Sequence, residues 1–245
     1  MTTAAPQDQL RLLDLQALDT RIQQLTHAKK VHPSLARIAE LDKQIADLHG
    51  SLVDSRTAVT DLKRELTKAE GDVAQVVART EKNQQRLDSG TLGAKDALAV
   101  TDEMTSLARR QGALEEAQLE VMEKLDAHQD ALDKVEAAHQ QLVDAKTAAE
   151  GERDAAFEEI NTQGRALTVE RKDAAAGIDA GLVAVYDQIR TRLGGTGAAA
   201  LRAGRCEGCG LELNPGDLAA AHAAALDQVV RCEECDRILV RVTES

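Results

Sequence analysis

The chain has 245 residues, a formal net charge of −12 and almost no aromatic side chains: Phe157, Tyr186 and no Trp. A packed globular core of that length draws on aromatics for bulk, so the composition excludes an ordinary large domain. Few prolines among many Ala, Leu, Glu, Lys and Arg residues point to long helices, and the acidic balance argues against whole-molecule binding to nucleic acid or an anionic membrane. No basic segment followed by an apolar core opens the chain, and no stretch approaches the ~18 apolar residues of a membrane span. A cytoplasmic location is expected.

Residues 7–30 read as a first helix, with Leu15, Leu18, Ile22 and Leu25 on one face. His32-Pro33 interrupts it, because proline removes a donor and disfavours helix before it. From Ile38 to Leu87 seam positions, apolar but for Ser55, Thr80 and Asn83, alternate by three and four, a coiled-coil seam of seven heptads. The phase slips across His32-Pro33, which predicts a kink or break there. Residues 88–94 carry two glycines and predict a tip, with Gly90 at a helix C′ position. A return arm follows from Met104 to Leu142 in the same spacing, antiparallel to the first because the turn is short.

A tip near residue 90 makes facing numbers sum to 180. That register pairs Val73 with Leu107, Val59 with Val121 and Ile38 with Leu142, but also sets His128 against Leu52 and His139 against Leu41. The helix continues to about residue 176, where its last part meets the first helix. Gly177 and Gly181 suggest a hinge before a short apolar-faced helix over 182–193. Residues 194–197 read as a stop and linker, 198–204 as a lead-in, 218–226 as a helical insert, and 229–231 and 238–242 as short strands. The expected division is a helical hairpin over 1–178 and a short helix plus zinc ribbon over 179–245.

All four cysteines lie in two Cys-x-x-Cys pairs, Cys206/Cys209 and Cys232/Cys235, with 22 residues between them. Two such turns supply four soft thiolates in a tetrahedron, the donor set of a closed structural Zn²⁺ site, so one ion is expected. Gly208 and Gly210 suit positive φ, and Asp236 tolerates the left-handed region where a glycine is expected. Disulfides need an oxidising compartment, and a redox dithiol needs no second pair. His222 lies between the pairs, but four cysteines saturate zinc, so it reads as a surface residue. Metal binding contributes about 10–16 kcal/mol in small zinc modules. The tail is therefore expected to unfold without zinc while the helices persist.

This layout resembles a bacterial family of C4-type zinc ribbon proteins with an N-terminal coiled-coil hairpin. The likeness rests on residues 12–19, 93–98 and 182–186, and most specifically on 230–240, VRCEECDRILV. It implies zinc ligation by Cys206, Cys209, Cys232 and Cys235. It also implies roles as partners of the alternative sigma factor σ54, in flagellar or type III secretion, or, in one branch, in RNA binding. Asp236 and Val240 depart from the family's Gly and Tyr without touching the ligands.

The leading functional reading is a protein-interaction adaptor, with a zinc ribbon presented by a coiled coil to a protein partner. The second is nucleic-acid binding through Arg202, Arg205, Arg231, Arg237 and Arg241, since Arg suits phosphate. Against it, the segment from Tyr186 onward holds seven Arg and nine acids and no further aromatic for base stacking. No phosphate loop, activated nucleophile or open metal position is recognisable, so neither catalysis nor a small-molecule substrate is expected.

Overall fold

The structure is a computed structural model and describes residues 2–242. Its described elements run α1 (Pro6–Lys30), α2 (Pro33–Asp88), α3 (Ala94–Ala176), α4 (Ala180–Arg192), β1 (Ala198–Arg202), β2 (Arg205–Cys206), α5 (Pro215–Ala223), β3 (Val230–Arg231) and β4 (Ile238–Arg241). The chain is mostly helical, with a long antiparallel hairpin and a small cysteine-bearing strand region, as its sequence predicts.

The interruption at His32-Pro33 is a full break. α2 starts on Pro33, where a missing N–H is no loss, and Ser34 N donates to His32 Nδ1 at 3.3 Å. At the tip α2 ends on Asp88, Gly90 takes φ 65°, and α3 begins at Ala94. The contacts divide the chain into two compact units, residues 36–150 and the described residues of 1–35 with 151–245.

Within 36–150, α2 packs on the first part of α3, and the register differs from the one expected. Near the tip Arg79 pairs with Glu103 at 2.9 Å, close to a sum of 180. Further along, Leu52 and Val59 cluster with Leu125, Leu132 and Val135, and Ile38 and Leu41 with Leu142, Ala145 and Ala149. Arg56 reaches Glu136 at 2.8 Å and Asp42 reaches Lys146 at 2.6 Å. α3 has therefore advanced by a turn or more against the expected pairing. Burying an imidazole against leucine forfeits its hydration. The observed register instead brings Leu132 beside Leu52, leaves His128 exposed and holds His139 at the seam's edge.

In the other unit α1 runs antiparallel to the end of α3. Arg11 donates to Gly177 O at 2.6 Å, Arg171 pairs with Asp19 at 3.2 Å, and Lys29 donates to Asn161 at 3.0 Å. Leu12 and Leu15 of α1, both 0% exposed, share one core with Leu182, Tyr186 and Ile189 of α4 and with Ala198, Ile238 and Val240 of the strands.

The sheet order is β2-β1-β4-β3, with β1 parallel to β4 and the outer pairs antiparallel. Strand β1 replaces the lead-in expected at 198–204. Ala-Ala-Ala-Leu has weak strand propensity, but β4 offers it a partner, and its small side chains let elements approach from both faces. Successive strand residues point to opposite faces. Ala198, Ile238 and Val240 face the α1/α4 core, whereas Ala199, Leu201 and Leu239 face the cysteines. The N-terminus joins the same assembly: Val229 N donates to Thr2 O at 3.0 Å and Ala4 N to Asp227 O at 2.7 Å.

Candidate metal centre

Each cysteine pair sits on a tight turn closed by the backbone. Gly210 N donates to Cys206 O and Asp236 N to Cys232 O, both at 2.8 Å. The closing residues are left-handed, Gly210 at φ 74° and Asp236 at φ 58°. The second turn thus uses an aspartate where the first uses glycine. Its carboxylate is gripped by Arg192 of α4 and by Arg231 of β3, the latter at 3.1 Å, so ion pairing accompanies the strained φ. Gly208 does not take the positive φ expected of it. It is small for another reason: a Cβ there would lie 2.7 Å from Arg237 Cδ and 2.9 Å from Ala199 Cβ.

The two turns converge. Sγ of Cys206 and Cys235 are 3.9 Å apart, Cys209 and Cys232 4.0 Å, and all four sulfurs lie within 4.8 Å of one another. Four sulfurs at about 2.3 Å from one ion stand roughly 3.8 Å apart, so the set fits tetrahedral zinc. All four are free thiols, and 3.9–4.0 Å is far beyond the ~2.05 Å of a disulfide bond. Burial pushes the Cys206 thiol up to about 12 and raises Cys232 as well. At Cys235 burial is outweighed by N–H donors of Arg237, and the thiol falls below its ordinary value. A bound dication supplies the charge that stabilises all four thiolates and ties the turns together. His222 lies on the last turn of α5, exposed and outside the cluster, in line with its reading as a surface residue.

The five arginines are engaged in different ways. Arg241 is committed to the fold: its two terminal nitrogens donate to the carbonyls of Ala221, Ala224, Ala225, Leu226 and Gln228 at 2.7–3.3 Å. It closes the end of α5 and the loop that receives the N-terminus. Arg237 donates to Thr196 O at 3.1 Å and faces the Cys235 turn. Arg231 holds Asp236. Arg202 and Arg205 flank the exposed β1–β2 turn; Arg202 lies 3.4 Å from Glu207, and Arg205 makes no ion pair among the described residues. Nothing in the sequence pattern distinguishes Arg241 from the others, because its acceptors are main-chain carbonyls 13–20 residues away. Substituting Arg241→Ala is expected to cost about 2–3 kcal/mol, the scale of charge-assisted hydrogen bonds. Hydrogen exchange should rise first over residues 221–229, and an unchanged profile there would contradict this role.

Sequence reasoning also missed a polar cluster on α1. Gln16 Oε1 accepts from Gly197 N at 2.7 Å, and the single Tyr186 hydroxyl proton is shared between Asp19 Oδ2 at 2.8 Å and Gln16 Oε1 at 3.1 Å. Arg171 and Arg190 complete it around Asp19 and Asp187. Gly197 belongs to the same joint, since a Cβ there would lie 2.7 Å from Tyr186 O.

A coiled-coil hairpin followed by a four-cysteine ribbon defines a class of zinc-binding coiled-coil proteins. The CT398-like coiled coil hairpin domain matches residues 15–194 and a C4-type zinc ribbon domain matches 205–239, so the chain belongs to the CT398-like hairpin family. An uncharacterized protein of Mycobacterium tuberculosis is 32% identical over 234 residues, 96% of this chain and 95% of that protein. An uncharacterized Mycobacterium leprae protein is 24% identical, over 90% of this chain and 95% of its own. A Mycobacterium smegmatis structure superimposes with a TM-score of 0.86 at 32% identity, covering 98% of this chain and all of that one. CT398 of Chlamydia trachomatis shares the fold, with a TM-score of 0.65 at 21% identity over 96% of this chain and 98% of its own. The chain binds zinc through the ribbon. No helix among the described residues is long and apolar enough to cross a membrane.

Proposed function

We propose that this protein is a non-enzymatic adaptor in which one structural zinc ion holds the ribbon together and the helices present docking surfaces to a protein partner. The observation that carries this reading is how the charged groups of the ribbon are used. Arg237 and Arg241 are engaged with Thr196 O and five main-chain carbonyls and Arg231 pairs with Asp236 at the surface, so three of the ribbon's five arginines between 202 and 241 already have partners within the fold. Four cysteines complete a tetrahedral shell and leave no open position for substrate. Reduced thiolates of this kind persist in a reducing compartment, in keeping with work in the cytoplasm.

The test is capture on immobilised intact protein, compared with a Cys206→Ser/Cys209→Ser variant and a deletion of 89–94. The expected result is a protein retained by the intact chain and lost with one of the variants, together with one zinc per chain by metal analysis. Two zinc ions, or capture of nothing but nucleic acid, would sink the reading.

The exposed Arg202 and Arg205 support a narrower alternative, nucleic-acid contact at the β1–β2 turn. A gel shift lost in Arg202→Ala/Arg205→Ala and weakened by salt would favour it, and no binding at low salt would end it.

A further inference from the structure

α1 and the end of α3 leave an open groove of about 760 Å³ between them. Its floor is apolar, with Ile22 and Leu25 from α1 and Ile160 and Val169 from α3; Val169 is 60% exposed. Two cations line it, Lys29 and Arg165, and no acid does, in a chain whose acids outnumber its Lys and Arg by 42 to 30. Lys29 is oriented by Asn161 at 3.0 Å and lies 5.0 Å from the Phe157 ring centroid. Arg165 uses one terminal nitrogen on Glu158 and Thr162.

The complementary surface lies on the chain itself. On α3, Leu119 is 59% exposed and Met122 40% exposed. They are three residues apart and share one helical face. Glu115 and Asp126 continue that face, with Glu116 and Glu123 beside it, all exposed. Glu116, Glu123 and Asp126 have no ion-pair partner among the described residues, and Glu115 only accepts a hydrogen bond from Gln111. Two uncovered apolar side chains rimmed by unpaired carboxylates are the opposite in sign, and the match in character, of the groove.

We propose that the groove of one molecule receives the 115–126 face of a second copy. Leu119 and Met122 enter between Ile22, Leu25, Ile160 and Val169, while Glu116 and Glu123 meet Lys29 and Arg165. The two surfaces differ, so the contact is heterologous and continues from copy to copy until it closes. Its electrostatic part weakens with salt, because both rims are exposed.

The experiment is analytical ultracentrifugation of the zinc-loaded full chain across concentration. The expected result is a mass above that of one chain that grows with concentration and falls at high salt. Lys29→Glu/Arg165→Glu and Glu116→Lys/Glu123→Lys should each weaken self-association by tenfold or more, with unchanged circular dichroism. Mixing the two variants should restore it, because each then presents the charge the other lacks. A monomer at every concentration, wild-type association by either variant, or a mixture that stays dissociated would each overturn the proposal. Association lost only on deletion of 89–94 would overturn it too, by placing the contact at the tip.

Discussion

Zinc removal is expected to unseat helix α1 as well as the ribbon. The sheet is the common wall of two cores. One face of β1 and β4 covers the cysteine cluster through Ala199, Leu201 and Leu239; the other covers α1 and α4 through Ala198, Ile238 and Val240. Without the metal, four thiols remain, two of them held protonated by burial, and nothing ties the Cys206 turn to the Cys232 turn. The strands that carry those turns then lose their geometry. Leu12 and Leu15 lose the surface that buries them, at ~1.5–3 kcal/mol for each side chain. Roughly 3 kcal/mol corresponds to about a hundredfold fall in exchange protection for the amides of α1. The N-terminal residues should open with it, since Thr2 and Ala4 bond to the backbone at 227–229.

Hydrogen exchange with and without a chelator is the measurement. Protection should be lost over residues 2–19, 182–189 and 198–241, while residues 36–150 keep theirs. Those hairpin residues bury their own seam. This differs from the simpler expectation that only the tail responds to the metal. Protection of α1 that survives complete zinc removal would show that its seat does not depend on the ribbon.

The parts of the molecule legible in the sequence are those governed by local rules. Heptad spacing located α2 and α3, proline and glycine located the break and the tip, and paired cysteines located the metal site. Even the left-handed Asp236 followed from its place after the last cysteine. What was illegible depends on tertiary partners. Strand β1 is a run of alanines that extends only because β4 lies alongside. The hairpin register follows from which side chains meet, and a constant-sum rule does not weigh a buried histidine against a buried leucine. Gln16 and Asp19 look like surface residues of an amphipathic helix, because α1's second buried face is covered by elements more than 160 residues away. Long-range burial of this sort has no periodic signature.

The buried cluster at that second face supplies the other large expected effect. Asp19 is 4% exposed and lies within ion-pairing distance of two arginines, Arg171 at 3.2 Å and Arg190 at 3.4 Å. It also accepts the Tyr186 hydroxyl at 2.8 Å. Asp19→Ala removes the buried carboxylate that Arg171, Arg190 and the Tyr186 hydroxyl share and leaves them only Asp187 and Gln16 Oε1, which should cost about 3 kcal/mol. Tyr186→Phe removes one neutral donor and keeps the ring, so ~1–2 kcal/mol is expected. Chemical denaturation of both variants and of their combination measures the coupling; strictly additive losses would show that the phenol and the carboxylate do not act together.

The phenol adds a pH signature. Burial, and then the hydrogen bond to Asp19 and its charge, hold the Tyr186 proton well above the ordinary tyrosine range. In the unfolded chain it ionises near 10. Above that pH the unfolded chain has released a proton that the fold retains, so ionisation favours unfolding. The contribution is fully present below pH ~10 and is lost as pH rises beyond it, by up to ~1.4 kcal/mol per pH unit. Tyr186 is the only tyrosine in the chain, so tyrosinate absorbance reports this group alone. It should appear together with unfolding in the wild type, and Tyr186→Phe should show a shallower alkaline decline in stability. Ionisation at an ordinary pH in the intact fold would mean that α1 does not cover the hydroxyl, and that the joint between α1, α4 and β1 is open to water.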